Sequence, residues 1–148
     1  MSAFLLCLDS SKEKLELLKQ CVNFFWEQKK RLGAICKDEK SKNFIEDFFW
    51  KFPKNSFIPT AFVDSSTPAS TCLEPLLLSY ENKPEFEACF FFSFTEAALF
   101  NENRYLIYLV NDSSEQEKAE NFLKEKGVAS YSFNSSQDLL EGLNNHIF

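Results

Sequence analysis

The chain has 148 residues, 45% of them apolar, so a single domain can bury a sizeable core without disulfides or a structural metal. Acids outnumber bases 22 to 16 and the net charge is −6, which argues against a protein that wraps nucleic acid with its own basic face. The start lacks a basic n-region, Asp9 and Lys12 interrupt its apolar run, and no run approaches a membrane span, so a cytoplasmic protein without membrane contact is expected.

The 18 phenylalanines read mainly as core, with a few as exposed anchors for partners. Cys7, Cys21, Cys36, Cys72 and Cys89 show neither C-x-x-C nor a zinc spacing. They read as small buried hydrophobes in a reducing compartment.

Taken in chain order, residues 3–8 form a short continuous apolar run, the pattern of a strand buried on both faces. Ser10-x-x-Glu13 then gives a capping box. The helix behind it carries Leu15, Leu18, Val22 and Phe25 on one stripe. Its end is the charged stretch Glu27 to Arg31, where bases would complement the dipole. Residues 32–36 are a second buried strand. Asp38 can cap a second helix, whose apolar face is Ile45, Phe48, Phe49 and Phe52 and which Pro53 stops.

Residues 53–75 hold four of the five prolines and read as loop, with one extended piece near 60–63. Strands follow at 76–80 and 88–94, separated by the turn Glu81-Asn82-Lys83-Pro84. Ser93-x-x-Glu96 predicts a short helix reaching Phe100. Residues 105–110 form another apolar strand, Ser114-x-x-Glu117 predicts a helix ending at Gly127, and residues 128–133 are the last strand. Ser135 opens a terminal helix with Leu139, Leu140 and Leu143 inward. The alternation implies one α/β domain over residues 1–148. Its expected architecture is three-layer and Rossmann-like, a mostly parallel central sheet with helices on both faces.

Chemistry is scarce. Three glycines, Gly33, Gly127 and Gly142, leave no dinucleotide fingerprint and no P-loop. The only histidine, His146, lies near the end and reads as a solvated side chain. Asp9, Asp38, Asp64 and Asp112 fall at strand ends, where carboxylates can hold Mg²⁺ or accept a phosphoryl group. Asp9, Asp38 and Asp112 are equally explained as turn or cap residues. A small phosphoacceptor or metal-dependent enzyme using these acids is the alternative reading. No catalytic residue, metal or cofactor is assigned.

The stretch from Glu27 to Phe62, with Trp26 ahead of it, has a recognisable order. A basic cluster, Lys29-Lys30-Arg31, leads into Leu-Gly-Ala-Ile-Cys and then Lys37-Asp38-Glu39-Lys40. The second helix closes at Phe49-Trp50, before Asn55-Ser56-Phe57-Ile58-Pro59. This resembles the chi subunit of the bacterial DNA polymerase III holoenzyme, and the later strands fit that family's order of elements. The resemblance implies a non-catalytic accessory subunit of the clamp-loader complex. It implies one surface for the psi subunit or clamp loader, and another for the acidic, Phe-ended C-terminal tail of single-stranded-DNA-binding protein. DNA would be met only indirectly.

An acidic tail with a terminal aromatic needs an apolar pocket beside Lys or Arg. Lys118, Phe122 and Lys126 share one helix face, with Lys124 nearby and Val110 ending the preceding strand. Phe122 as core and the lysines as ordinary surface is the competing reading. For the psi or clamp-loader contact the candidates are Trp50, Phe57, Ile58 and Pro59, an aromatic beside a proline loop. Packing of Trp50 and Phe57 against their own helix is the alternative.

Overall fold

A computed structural model describes residues 1–51 and 58–147. Its frame is one seven-stranded sheet in which every ladder is parallel. The strands are β1 (Ser2–Cys7), β2 (Leu32–Ile35), β3 (Thr60–Phe62), β4 (Leu76–Ser79), β5 (Ala88–Phe91), β6 (Tyr105–Val110) and β7 (Ala129–Phe133). They lie in the order β3-β4-β2-β5-β6-β1-β7. The inner strands read as unbroken apolar runs because a parallel sheet is covered on both faces.

Alternation along each strand divides the core in two. Phe4, Leu6, Leu32, Ala34, Leu78, Phe90, Ile107 and Leu109 point to one face. There they meet α1 (Ser11–Glu27), α2 (Glu39–Lys51) and α4 (Ser136–Ile147). Leu15, Leu18, Val22 and Phe25 of α1, Ile45 and Phe49 of α2, and Leu139 and Leu143 of α4 supply the helical side of this layer. Leu5, Leu77, Cys89, Phe91, Leu106, Tyr108 and Val110 point the other way. They meet α3 (Ser113–Glu125) and three stretches of connecting chain, one around Val63, Ala69 and Cys72, one around Phe86 and one around Phe94. Three layers are present, with three helices on one side and one on the other.

Helix ends follow the expected chemistry, with one shift. Ser10 caps α1 through a bond from the Glu13 amide at 3.4 Å. Asp38 accepts the Ser41 amide at 2.8 Å ahead of α2. The cap of α3 is Asp112, which accepts the Glu115 amide at 2.8 Å, rather than Ser114. A carboxylate at that position offers a stronger acceptor to an N-terminal amide than a hydroxyl does. At the far end of α3, Val128 N–H bonds to Leu123 O at 2.9 Å and Gly127 N–H to Lys124 O at 3.1 Å. That pair is a Schellman motif, with Gly127 at φ +72° in the left-handed position.

Three expectations need correction. No helix follows β5: residues 94–100 run without regular structure. The Phe100 amide, which a helix would bond to the carbonyl four residues back, is instead taken by Asn103 Oδ1 at 2.9 Å. The basic stretch lies beyond the last turn of α1, and its residues serve as ties. Lys30 pairs with Glu87 at 2.9 Å, and Arg31 donates to the carbonyls of Ala69 and Cys72. Cys7 is exposed at the end of β1, while Cys21, Cys36, Cys72 and Cys89 are buried. His146 is exposed as expected, with its ring 4.1 Å from that of Tyr131 and 5.6 Å from that of Phe4. The expected ends of α2 at Phe52 and Pro53 lie outside the described residues.

Two glycines allow a test of this packing. A Cβ at Gly127 would meet nothing within 4 Å, so Gly127→Ala bears only the backbone cost of a positive φ, about 1–2 kcal/mol. A Cβ at Gly33 would lie 2.5 Å from the Phe86 ring, so Gly33→Ala costs about 1–3 kcal/mol through overpacking. Urea unfolding of both variants should show each loss with an unchanged denaturant slope.

Candidate functional site

The second layer holds the more distinctive surface. Along α3, Lys118 and Lys126 are exposed and flank Phe122, which is 9% exposed and belongs to the core of this layer, as the competing reading had it. The Phe122 ring meets Phe94 edge-on at 5.7 Å, and the Lys126 ammonium lies 5.7 Å from its centroid. This is cation–π range. Phe94 in turn lies 6.3 Å from Tyr108, which stacks on Phe91 at 4.3 Å. A chain of aromatic rings thus runs from the sheet out to the helix surface, with a cation at its outer end.

The five residues assigned from sequence to the tail-binding surface are not all brought together. Lys118, Phe122 and Lys126 form one strip, as their spacing requires. Lys124 lies on the other side of α3, where it lines a cleft of about 610 Å³ with Asn121, Gly127 and Ser130 against β7. Val110 is fully buried beneath the helix, so it shapes the surface without forming part of it. Of the second group, Trp50 is 72% exposed at the end of α2. It borders a cleft of about 340 Å³ with Glu46, Asp47, Pro59 and Thr60, whose floor includes Ile58, 6% exposed. Trp50 and Pro59 are therefore the presented members. Phe57 lies outside the described residues.

Sequence reasoning missed the residues that hold residues 92–104 in place. Asn82 and Asn103 are buried, at 7% and 0% exposure. Asn82 Nδ2 donates to Asn103 Oδ1 at 2.7 Å and to Ala98 O at 2.8 Å. Asn103 Oδ1 also accepts the Phe100 amide at 2.9 Å, and Asn103 Nδ2 reaches the carbonyls of Lys83 and Phe86. These amides stand in for the backbone bonds that a helix would have made. Two asparagines separated by an apolar strand were the available signal. Glu115 was also missed: besides the Phe94 amide it accepts from Asn111 at 3.2 Å, so one carboxylate joins α3 to the strand-end loops.

Three of the four strand-end acids are engaged in local structure, while the cap beside Asp9 is Ser10. Asp38 and Asp112 cap helices, and Asp64 accepts from the amides of Ser66 and Thr67 at 2.9 and 2.8 Å. Hydrogen bonds from Ser41 hold Asp38 below the usual carboxylate range, and bonds from Ser66 and Thr67 do the same for Asp64. Among the described residues no group of three or more His, Cys, Asp or Glu side chains is arranged to hold a metal ion. Burial raises the Cys36 thiol to about 12 and pushes Cys21 and Cys89 higher still. Burial likewise raises the Tyr108 phenol, whose hydroxyl has no hydrogen-bond partner among the described residues. Among the described residues no helix is long and apolar enough to cross a membrane.

The fold and surfaces define a parallel α/β domain whose second layer combines a single helix with an irregular stretch tied down by side-chain amides. A family model described as DNA polymerase III chi subunit, HolC, matches residues 2–123, and the chain belongs to that family, an accessory subunit of the polymerase. The match runs from β1 into the last turns of α3, so it includes Trp50, Pro59, Val110, Lys118 and Phe122 and stops short of Lys124 and Lys126. No curated protein matches the chain.

The amide network carries a prediction. Asn103→Ala leaves several buried polar groups unpaired and should cost about 3 kcal/mol. It should also speed amide hydrogen exchange at Phe100 more than in β1, because residues 92–104 lose their ties before the sheet does.

Proposed function

We propose that this chain is a non-catalytic adaptor of the clamp-loader complex. In this reading it works in the cytoplasm and links the loader to single-stranded-DNA-binding protein through that protein's acidic C-terminal tail. Membership of the chi family is the observation that carries the reading. The strip Lys118, Phe122 and Lys126 supports it. Two exposed ammonium groups stand over the outer edge of the largely buried Phe122, and this suits a peptide with acidic side chains and a terminal Phe. Phe94 would form the adjoining wall, since its ring already packs against Phe122.

The psi or clamp-loader contact is assigned to Trp50 and Pro59 at the end of α2, with Ile58 as floor and Phe57 as a further candidate. A rigid aromatic beside a proline fits the composition of interface hot spots. The two surfaces lie on different elements, so one chain can engage both partners at once. DNA is reached only through the partner protein, consistent with the acidic balance of the whole chain.

Calorimetric titration with an acidic peptide ending in Phe should give a micromolar Kd, about −8 kcal/mol, that weakens as salt rises. Removing the terminal Phe should abolish binding. The double variant Lys118→Glu, Lys126→Glu should weaken it by about tenfold or more, as expected for reversed charges at a charge-assisted contact. Trp50→Ala should leave this titration unchanged but weaken capture of psi or clamp-loader subunits by about 2 kcal/mol. Silence at low salt would remove the tail-binding assignment.

A further inference from the structure

Charge is spread unevenly along the chain. Residues 11–51, from the start of α1 to the end of α2, carry 10 Lys and Arg against 7 Asp and Glu, a balance of +3, which leaves −9 for the remainder. A basic region in an acidic protein draws acidic partners.

α1 and α2 cover the same face of the sheet, and a groove of about 840 Å³ lies between them. Leu15, which is buried, and the half-buried Phe48 line it together with Phe44. Phe44 is 59% exposed and stays out of the core that Ile45 and Phe49 of the same helix join. An aromatic ring left largely in water beside an apolar groove is surface that a partner would cover. On the α1 side the rim is Lys12, Glu16 and Lys19, at i, i+4 and i+7, and Lys40 is exposed one turn before Phe44 on α2. Among the described residues none of these three lysines forms an ion pair, whereas Lys30, Lys42 and Lys83 each pair with a glutamate.

The groove adjoins the surface assigned to psi or the clamp loader. Trp50, on the other flank of α2, borders its own cleft with Asp47 and Pro59. Phe44 and Trp50 are six residues apart, roughly 9 Å along the helix axis, so a partner seated on Trp50 reaches the groove by crossing one helix.

We infer that the groove between α1 and α2 holds an amphipathic helix of the protein that meets Trp50 and Pro59. Its apolar stripe lies on Phe44, Phe48 and Leu15, and acidic residues on its flanks face Lys12, Lys19 and Lys40. The inference rests on the assignment of the Trp50 contact to the psi or clamp-loader side. From Ser11 to Asn23 the rim runs about 18 Å, which accommodates about three helical turns with anchors at i, i+3 or i+4 and i+7. The walls are helices whose backbone groups are bonded internally, so they offer no ladder to an extended strand. Two copies of this chain meeting symmetrically here would set Lys12, Lys19 and Lys40 against the same lysines.

The full chain should be titrated with the purified clamp-loader complex of the same bacterium, including its psi subunit where one exists. Phe44→Ser should weaken binding by about tenfold or more. Lys12→Glu with Lys19→Glu should weaken it by about tenfold and flatten its salt dependence. Both variants should unfold at the wild-type temperature and bind the acidic, Phe-ended peptide normally, since these residues lie outside the core and the α3 strip. A benzoylphenylalanine photocrosslinker in place of Gln20, which lines the groove, should join the complex at a helix with an apolar stripe and acidic flanks. If Trp50→Ala weakens binding while both groove variants bind as the wild type does, the inference is overturned and the Trp50 contact stands. If the wild-type chain does not bind the complex, or Trp50→Ala has no effect, the contact and the inference fall together. Crosslinking to a strand, a loop or a second copy of this chain overturns the inference alone, as does a groove variant that loses only the acidic peptide.

Discussion

Burial of one parallel sheet on both faces is the constraint from which the rest follows. A parallel strand cannot turn straight back into its neighbour, so each connection must cross a face and cover it. The apolar runs Phe4-Leu5-Leu6, Leu76-Leu77-Leu78 and Leu106 to Val110 have no polar side to show to water. The chain must roof them twice. It does so unevenly, and that unevenness gives the molecule its distinctive surfaces.

On one face three helices complete the cover, with α1 and α2 contributing conventional apolar stripes. On the other, α3 is the one α-helix among the described residues, and chain from three connections fills the remaining area. Irregular backbone over a core needs partners for its amides and carbonyls. Asn82, Asn103, Glu115 and Arg31 supply them from the side, each bridging segments far apart in sequence. The result is a stretch without helix that is nevertheless anchored at several points. It places Phe94 against Phe122.

Much of this was legible in the residues. The strands appeared as short apolar runs, and Ser10, Asp38 and Gly127 marked helix ends for reasons of hydrogen bonding and backbone conformation that operate locally. The order of features from Trp26 to Pro59 was specific enough to indicate the family. What sequence could not supply was competition from distant groups. Ser93-x-x-Glu96 has the pattern of a capping box, yet the Phe100 amide, which a helix would bond four residues back, is claimed by Asn103, whose side chain is held in turn by Asn82 from before β5. Cys7 resembles a buried strand residue because its exposure depends on where β1 ends relative to its neighbours. The surface residues were harder for the same reason. Helical spacing correctly grouped Lys118, Phe122 and Lys126, whereas Lys124, close in sequence, faces β7. Ile58 and Val110 lie beneath the surfaces they were expected to form.

The account stands on the second, unevenly covered layer being the one that meets the tail. Mapping amide shifts of the intact chain against a saturating acidic, Phe-ended peptide tests this most directly. Movement is predicted along the outer face of α3 and at Phe94, with α1 and α4 quiet. Shifts confined to the three-helix layer, or none at all, would contradict it.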